Sequence, residues 1–429
     1  MEETLFRVIL QLAFIIATAR IFAAIFKKLG QPGVCGEMAA GLILGPSLFG
    51  KLFPGTFHRI FDPSVSLVFI MFAQVGLVLL LFLLGMDFEF TYLRTHGRRA
   101  LAIAVSAMAV PFAIGLVLAK FMYPHVGFGI PETGFCLFAA TALSITALPI
   151  LGIILVEFNL NRTELGVIAI TAAALMDVTG WTLLAAVNAI VRSNFQLWLT
   201  LKMLLEVIGF GAVMLWAVRP LIKKWIRYIL AKEGSSLSIA TLAILLVVVF
   251  TSALATSRIG IFSIFGGFVA GAILFDEHAF RHAVHARLQD FVRVFFVPIF
   301  FMYTGLRTDV GSMSGSVMWM LFSLTIAAAV LAKAVPATLA ARATGFSWPD
   351  SLSMGALMNT RALMELIVLN IGLDLGVIPK SVFFMFTLMA VITTLMTAPL
   401  LRRTLAYAGF KPQPEALAVA QLTAASGGD

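Results

Sequence analysis

Apolar runs about as long as a bilayer is thick recur from one end of this 429-residue chain to the other. A helix needs about 20 such residues to cross the hydrocarbon core. A window of that length picks out about thirteen runs, at roughly 5–26, 34–50, 66–86, 100–122, 131–156, 165–190, 197–218, 236–256, 259–275, 291–306, 316–341, 350–373 and 381–401. Inside lipid every backbone N–H and C=O must find an internal partner, so runs of this composition become helices. A mean hydropathy of +1.02 with 12% charged residues excludes a water-soluble globular chain, and the short loops leave no room for a sizeable soluble domain. The chain therefore reads as an all-α integral membrane protein embedded in the lipid bilayer. A net charge of +9 would suggest nucleic acid in a soluble protein. Here the placement of the positives matters more than their sum, and no nucleic-acid partner is expected.

Loops alternate between the two sides of the membrane. Those on the side that starts with Lys27 and Lys28 and ends with Arg402, Arg403 and Lys411 carry most of the Lys and Arg. By the positive-inside bias that side is cytoplasmic, the C-terminus is inside and the N-terminus outside, which an odd number of spans requires. A bacterial inner (plasma) membrane is the expected location. The first run follows two acids and lacks a small-residue cleavage site, so it reads as a retained span. Cys35 and Cys136 lie in apolar runs and read as packing residues.

Internal symmetry follows from two short matches. Ala40-Gly41-Leu42-Ile43-Leu44 in the second run resembles Ala270-Gly271-Ala272-Ile273-Leu274 in the ninth. Phe82-Leu83-Leu84-Gly85-Met86, closing the third, resembles Met302-Tyr303-Thr304-Gly305-Leu306, closing the tenth. Both are displaced by seven spans, and an odd displacement inverts the second copy in the membrane. The reading is one transporter unit over 1–403: a first repeat about 5–190, a linker helix about 197–218 and a second repeat about 236–403. A short cytoplasmic tail, 404–429, is expected to be disordered. The same shift pairs the fifth run with the twelfth. The fifth carries Thr141, Ser144, Thr146 and Pro149 in its middle, and the twelfth carries Gly355, Asn359, Thr360 and Arg361. Helix-weakening polar clusters at matching places predict crossed broken helices with a site at the midplane. Taken singly, each cluster is better explained by hydroxyls bonding back to the preceding turn and by an ordinary proline kink; it is the matched pair that favours a site.

An ionisable side chain at the centre of a span costs roughly 2.5–3.5 kcal/mol on insertion scales, so each needs a partner or a task. Asp177 sits mid-run among small residues, in Ala172-Ala173-Ala174-Leu175-Met176-Asp177. A buried carboxyl can hold a proton or an alkali cation but not both, and that exclusion is the core of antiport. Lys333 is placed to ion-pair with Asp177 when no cation is bound. Arg361 and Glu365, four apart, share a helix face and predict an intrahelical pair. Glu37, and Glu206 with Lys202, read as local pairs. The histidines all fall in loops or at span edges; His278, His282 and His285 lie at helical spacing, as a pH sensor would or as a solvated face does.

Several motifs together resemble the second monovalent cation:proton antiporter family, with its sodium/proton-antiporter fold. They are Gln31-Pro32-Gly33-Val34-Cys35-Gly36-Glu37, Ala40-Gly41-Leu42-Ile43-Leu44-Gly45-Pro46-Ser47, Phe82-Leu83-Leu84-Gly85-Met86-Asp87, Leu143-Ser144-Ile145-Thr146-Ala147-Leu148-Pro149, Gly305-Leu306-Arg307-Thr308-Asp309 and Met358-Asn359-Thr360-Arg361-Ala362-Leu363-Met364-Glu365-Leu366. The last two sound closest to the cation/proton exchanger branch. The resemblance implies a homodimer whose core moves as an elevator past a dimerisation domain. It also implies that Asp177 carries the ion or proton, Lys333 is its buried partner, and Arg361 sits by the crossed helices. One departure is Met176, where relatives have Asp or Asn. A thioether is a poor ligand for a hard cation, which leaves Asp177, Thr146, Ser144, backbone carbonyls and water, and predicts electroneutral one-for-one exchange. After Arg403 the chain is too short for the nucleotide-binding domain of potassium-efflux relatives, and it has no Gly-rich dinucleotide loop.

The expected function is therefore exchange of sodium or potassium for protons, with no cofactor. A proton-coupled exporter of an organic compound and a gated cation channel of the same fold are the alternatives. An enzyme is not expected, since no nucleophile with its base and no metal-ligand spacing occurs.

Overall fold

The computed structural model describes residues 2–87, 91–161, 163–192, 196–233, 237–361 and 363–407. Among them every regular element is helical, in the order α1 (Glu2–Lys28), α2 (Gly33–Leu44), α3 (Phe49–Leu52), α4 (Pro54–Ile60), α5 (Ser66–Met86), α6 (Thr91–Val126), α7 (Glu132–Ser144), α8 (Leu148–Glu157), α9 (Glu164–Arg192), α10 (Leu197–Val213), α11 (Arg219–Glu233), α12 (Ile239–Ile259), α13 (Ser263–Ala272), α14 (His278–Phe291), α15 (Val297–Leu306), α16 (Gly315–Ala343), α17 (Trp348–Met358), α18 (Leu363–Asp374) and α19 (Lys380–Tyr407). Twelve of the resulting rods are long and apolar enough to cross a bilayer, and the short apolar α13 takes the ninth place. The protein is thus an all-helical, multi-pass membrane protein, as expected.

The helices sort into two bodies. In one, α6, α7, α8, α9, α16, α17, α18 and α19 pack on one another; in the other, α1, α2, α5, α12, α13 and α15 do. We call them the core and the scaffold. The scaffold is held by glycines. A Cβ on Gly41 of α2 would collide with the Phe301 carbonyl of α15, and one on Gly305 of α15 with the Gly41 carbonyl; Gly271 of α13 stands in the same relation to Phe82 of α5, and Gly85 of α5 to Phe268 of α13. Only residues without a side chain let two helix backbones approach so closely. The two pairs are the repeat matches read from the sequence, now seen as two equivalent crossings.

Three boundaries differ from expectation. The ninth span is a ten-residue helix, because Ile273 and Leu274 turn off the helix end. The linker helix does not stop near 218: a π-helical turn, Met214–Val218, carries it into the basic α11. The last helix runs to Tyr407, and the rest of the tail, 408–429, lies outside the described residues.

Candidate functional site

The fifth and twelfth spans are both broken. α7 stops at Ser144 and α8 restarts at Leu148, with Ile145 and Ala147 extended between them. Pro149 suits this place, since a proline inside a continuous helix would clash with the preceding turn, whereas its missing N–H costs nothing in the first turn of α8. α17 stops at Met358 and α18 restarts at Leu363. The two interruptions cross: the Ala147 N–H donates to the Thr360 carbonyl at 3.2 Å, and the Thr146 hydroxyl donates to the Met358 carbonyl at 3.4 Å.

A break leaves orphan carbonyls at one helix end and orphan N–H groups at the next, with partial charges to match. The charged side chains stand at ends of the opposite sign. Arg361 is fully buried and donates to the Leu143 carbonyl at 2.7 Å, to Ala142 at 3.4 Å and to Ala329 at 3.1 Å. Lys333 of α16, also fully buried, donates to the Ser144 carbonyl at 2.5 Å. Two cations therefore cap the C-terminal end of α7. Glu365 lies in the first turn of α18, 3.5 Å from Arg361; the two are close, but Arg361 stands in the break outside that helix, so the pair is not the intrahelical one expected. Asp177 of α9 is 4% exposed and lies beside Leu148, the first residue of α8. Its Oδ1 has no hydrogen-bond partner among the described residues, and neither does Oδ1 of the buried Asn359.

One expectation needs correcting. Lys333 makes no ion pair with Asp177 within 4 Å among the described residues; its ammonium is held instead by the Ser144 carbonyl. That carbonyl lost its helical partner when α7 broke, so it competes successfully for the charge. The hydroxyls also divide. Thr141 and Ser144 bond back to Leu137 and Thr141 of their own helix, at 2.7 and 2.8 Å, as the alternative reading had it. Thr146 faces the crossing, with Met176 Sδ 3.7 Å from its oxygen. Elsewhere, Glu37 pairs with Arg20 at 3.4 Å, Lys202 with Glu206 at 3.9 Å, and His285 with Asp87 at 3.0 Å.

Two features escaped the sequence reading. On α19, three buried threonines back the second break: Asn359 donates to the Thr393 carbonyl at 3.5 Å, the Arg361 N–H to the Thr394 hydroxyl at 3.3 Å, and the Thr360 hydroxyl to that of Thr397 at 3.4 Å. Thr393, Thr394 and Thr397 fall on one helical face of an otherwise apolar run, which was the available signal. The other is a cavity of about 470 Å³ that opens between scaffold and core on the Lys27 side, lined by Glu37 and Arg293 of the scaffold and by Pro149, Ile150 and Leu363 at the restarts of α8 and α18. Among the described residues no three His, Cys, Asp or Glu converge; the site offers the carboxyl of Asp177, that of Glu365 beside Arg361, hydroxyls and backbone oxygens.

Comparison with known proteins is consistent across sequence and fold. Residues 13–405 match the family described as "Sodium/hydrogen exchanger, transmembrane". The chain is 36% identical over 405 residues to the Na(+)/H(+) antiporter NhaS4 of Synechocystis sp., covering 93% of this chain and 97% of that one. It is 35% identical to Cation/H(+) antiporter 17 of Arabidopsis thaliana, over 93% of this chain and 48% of the relative, so it spans about half the length of that plant protein. The structure of the sodium proton antiporter MjNhaP1 from Methanocaldococcus jannaschii superposes with a TM-score of 0.65 at 16% identity, covering 94% and 97% of the two chains, a likeness of fold.

Proposed function

This chain belongs to the sodium/hydrogen exchanger family, and from that premise we propose that it exchanges a monovalent cation for protons, with Asp177 as the shared carrier. The observation that carries the reading is the state of Asp177: a buried carboxyl beside the positive end of α8, with no cationic side chain within 4 Å and an oxygen that has no hydrogen-bond partner among the described residues. A proton or a small cation satisfies that oxygen equally well, and each displaces the other. Thr146, Asn359 and those carbonyls of the two breaks that Arg361 and Lys333 do not hold are the oxygens available to complete a cation's shell; Ser144 is engaged in this state, its hydroxyl by Thr141 and its carbonyl by Lys333. Relatives are named for sodium and for potassium exchange, and both ions fit an oxygen donor set.

Arg361 and Lys333 hold the negative end of α7, and Glu365 offsets Arg361; none of the three is asked to carry cargo. Met176 leaves the site with one acid, so a cycle that moves one cation against one proton is electroneutral. The division into scaffold and core supports an elevator in which the core slides and the scaffold stays. The exposed apolar residues of α10, among them Leu205 and Ile208, would suit a homodimer in which the linker helix faces a second copy. With the Lys27 side cytoplasmic by its loop charge, the 470 Å³ cavity is the inward entrance.

The test is exchange in proteoliposomes carrying an internal pH dye. Adding sodium, potassium or lithium changes the internal pH with the native chain and has no effect with Asp177→Asn. Retained exchange in that variant would refute the carrier assignment. A response confined to an organic compound, or ion flux without a pH signal, would refute antiport of inorganic cations.

A further inference from the structure

The inverted repeat makes the two ends of the scaffold–core seam comparable, and they differ. α5 and α15 correspond through Gly85 and Gly305, and α8 and α18 are the two restarts. On the Lys27 side the seam between α5 and α8 is the 470 Å³ cavity, with Leu80 and Leu84 on its scaffold wall. The positions that correspond to those leucines on α15 are Phe300 and Thr304. There, at the opposite end, the seam between α15 and α18 has closed to about 20 Å³.

What closes it is polar and joins the two bodies directly. Asn370 of α18 donates to the Thr304 hydroxyl at 2.9 Å, and its oxygen accepts from Arg307 at 3.1 Å. Arg307 also pairs with Asp374 at the end of α18, at 2.6 Å. Its guanidinium lies 5.1 Å from the Tyr303 ring and 5.9 Å from the Phe383 ring of α19. Thr304 and Asn370 are buried while the Asp374 side chain is about half exposed, so the contact runs from the interior out to the rim. The orientation of the Asn370 amide is set by its neighbours: turned over, its NH2 would face a guanidinium and its oxygen the Leu366 carbonyl.

We propose that Thr304 and Arg307 of the scaffold and Asn370 and Asp374 of the core form the gate that shuts the Asp177 site off from the side opposite the cavity, and that this latch breaks and re-forms once per transport cycle. The inference rests on the alternating-access reading above. If the core moves along the scaffold, these are groups that must part, and the corresponding α5–α8 seam must close. Thr304, Arg307 and Asn370 are then positioning residues: they touch no cargo and set which side the site faces.

The experiment reads the conformational equilibrium without needing transport. In a chain with Cys35 and Cys136 replaced by alanine, Ile371→Cys puts a reporter in the closed crevice, where Ile371 is buried. A membrane-impermeant maleimide, added from the side opposite the cavity, should label it slowly. Losing a hydrogen bond to a charged group shifts a two-state equilibrium by about tenfold or more. Asn370→Ala together with Asp374→Asn should therefore accelerate labelling by about that factor, and the near-isosteric Thr304→Val, less able to disturb folding, should accelerate it by a smaller one. The same accelerations are expected in an Asp177→Asn background, which separates failure of the gate from failure of the carrier assignment. Unchanged labelling in both the double variant and Thr304→Val would overturn the proposal. So would full transport by an Arg307→Cys, Asp374→Cys chain in which a bifunctional thiol reagent has joined the two cysteines.

Discussion

Arg361→Ala is the substitution with the largest expected structural cost, and its partners permit a magnitude. The guanidinium pairs with a fully buried Glu365 and holds the carbonyls of Leu143, Ala142 and Ala329. Removing one member of a buried ion pair typically costs about 3–5 kcal/mol, because the other is stranded. Each carbonyl left without a donor adds about 1–3 kcal/mol unless water follows into the space. Arg361→Ala should therefore lose at least about 4 kcal/mol. Glu365→Ala should lose less, since the arginine left behind keeps its carbonyls at the negative end of α7. The double variant should be more stable than Arg361→Ala alone, because no stranded carboxyl remains. Equilibrium unfolding in mixed micelles measures all three, and the cycle yields the coupling between the two side chains. Losses below about 1 kcal/mol in both single variants, adding simply in the double, would refute the view that the arginine caps the break.

Other consequences follow from the same geometry. Asp177→Asn should be at least as stable as the native chain in the same unfolding assay, because it removes a buried carboxyl whose oxygen lacks a partner; a clear loss would mean that Asp177 is structural. Exchange by the native chain should ignore an imposed membrane potential, whereas Met176→Asp, which adds a second acid beside Asp177, should make the rate voltage-sensitive; voltage dependence of the native chain would sink the one-for-one stoichiometry. Asp276 lies in the loop after α13. Its partial burial would raise its pKa, but Lys223 and Arg219 outweigh this and hold the carboxyl below the usual range. A depressed folded-state pKa contributes stability above the unfolded value of about 3.9 that is lost as pH falls. The cost of Asp276→Asn, at most about 1 kcal/mol for so exposed a pair, should therefore be present at neutral pH and vanish in acid; a cost that grows in acid would contradict this.

Much of the site was legible because lipid makes polar residues conspicuous. Asp177, Lys333, Arg361 and Glu365 stood out as charges inside apolar runs, and the glycine matches pointed to the repeat that pairs the two breaks. What could not be read was who would hold whom. Lys333 was expected opposite Asp177, but the break in α7 freed a nearer acceptor, and a break's exact place is set by tertiary contact as well as by Pro149. Thr393, Thr394 and Thr397 share a helix face but carry a weak signal, because hydroxyls in a helix ordinarily satisfy themselves on the turn before; they gain a role only from the unwound backbone packed on them. The latch at Asn370 was missed for the opposite reason, since Arg307 and Asp374 fall in loops and at span ends where charge is unremarkable.

The glycine crossings carry a mechanical consequence. Where α2 meets α15 and α13 meets α5, main chain rests on main chain with no side chain between to change rotamer and absorb a displacement. Such a joint is stiff, and it resists the sliding of α2 on α15 and of α13 on α5. In the seam beside it side chains rather than peptide groups are in contact, so of the two that seam is the one able to yield.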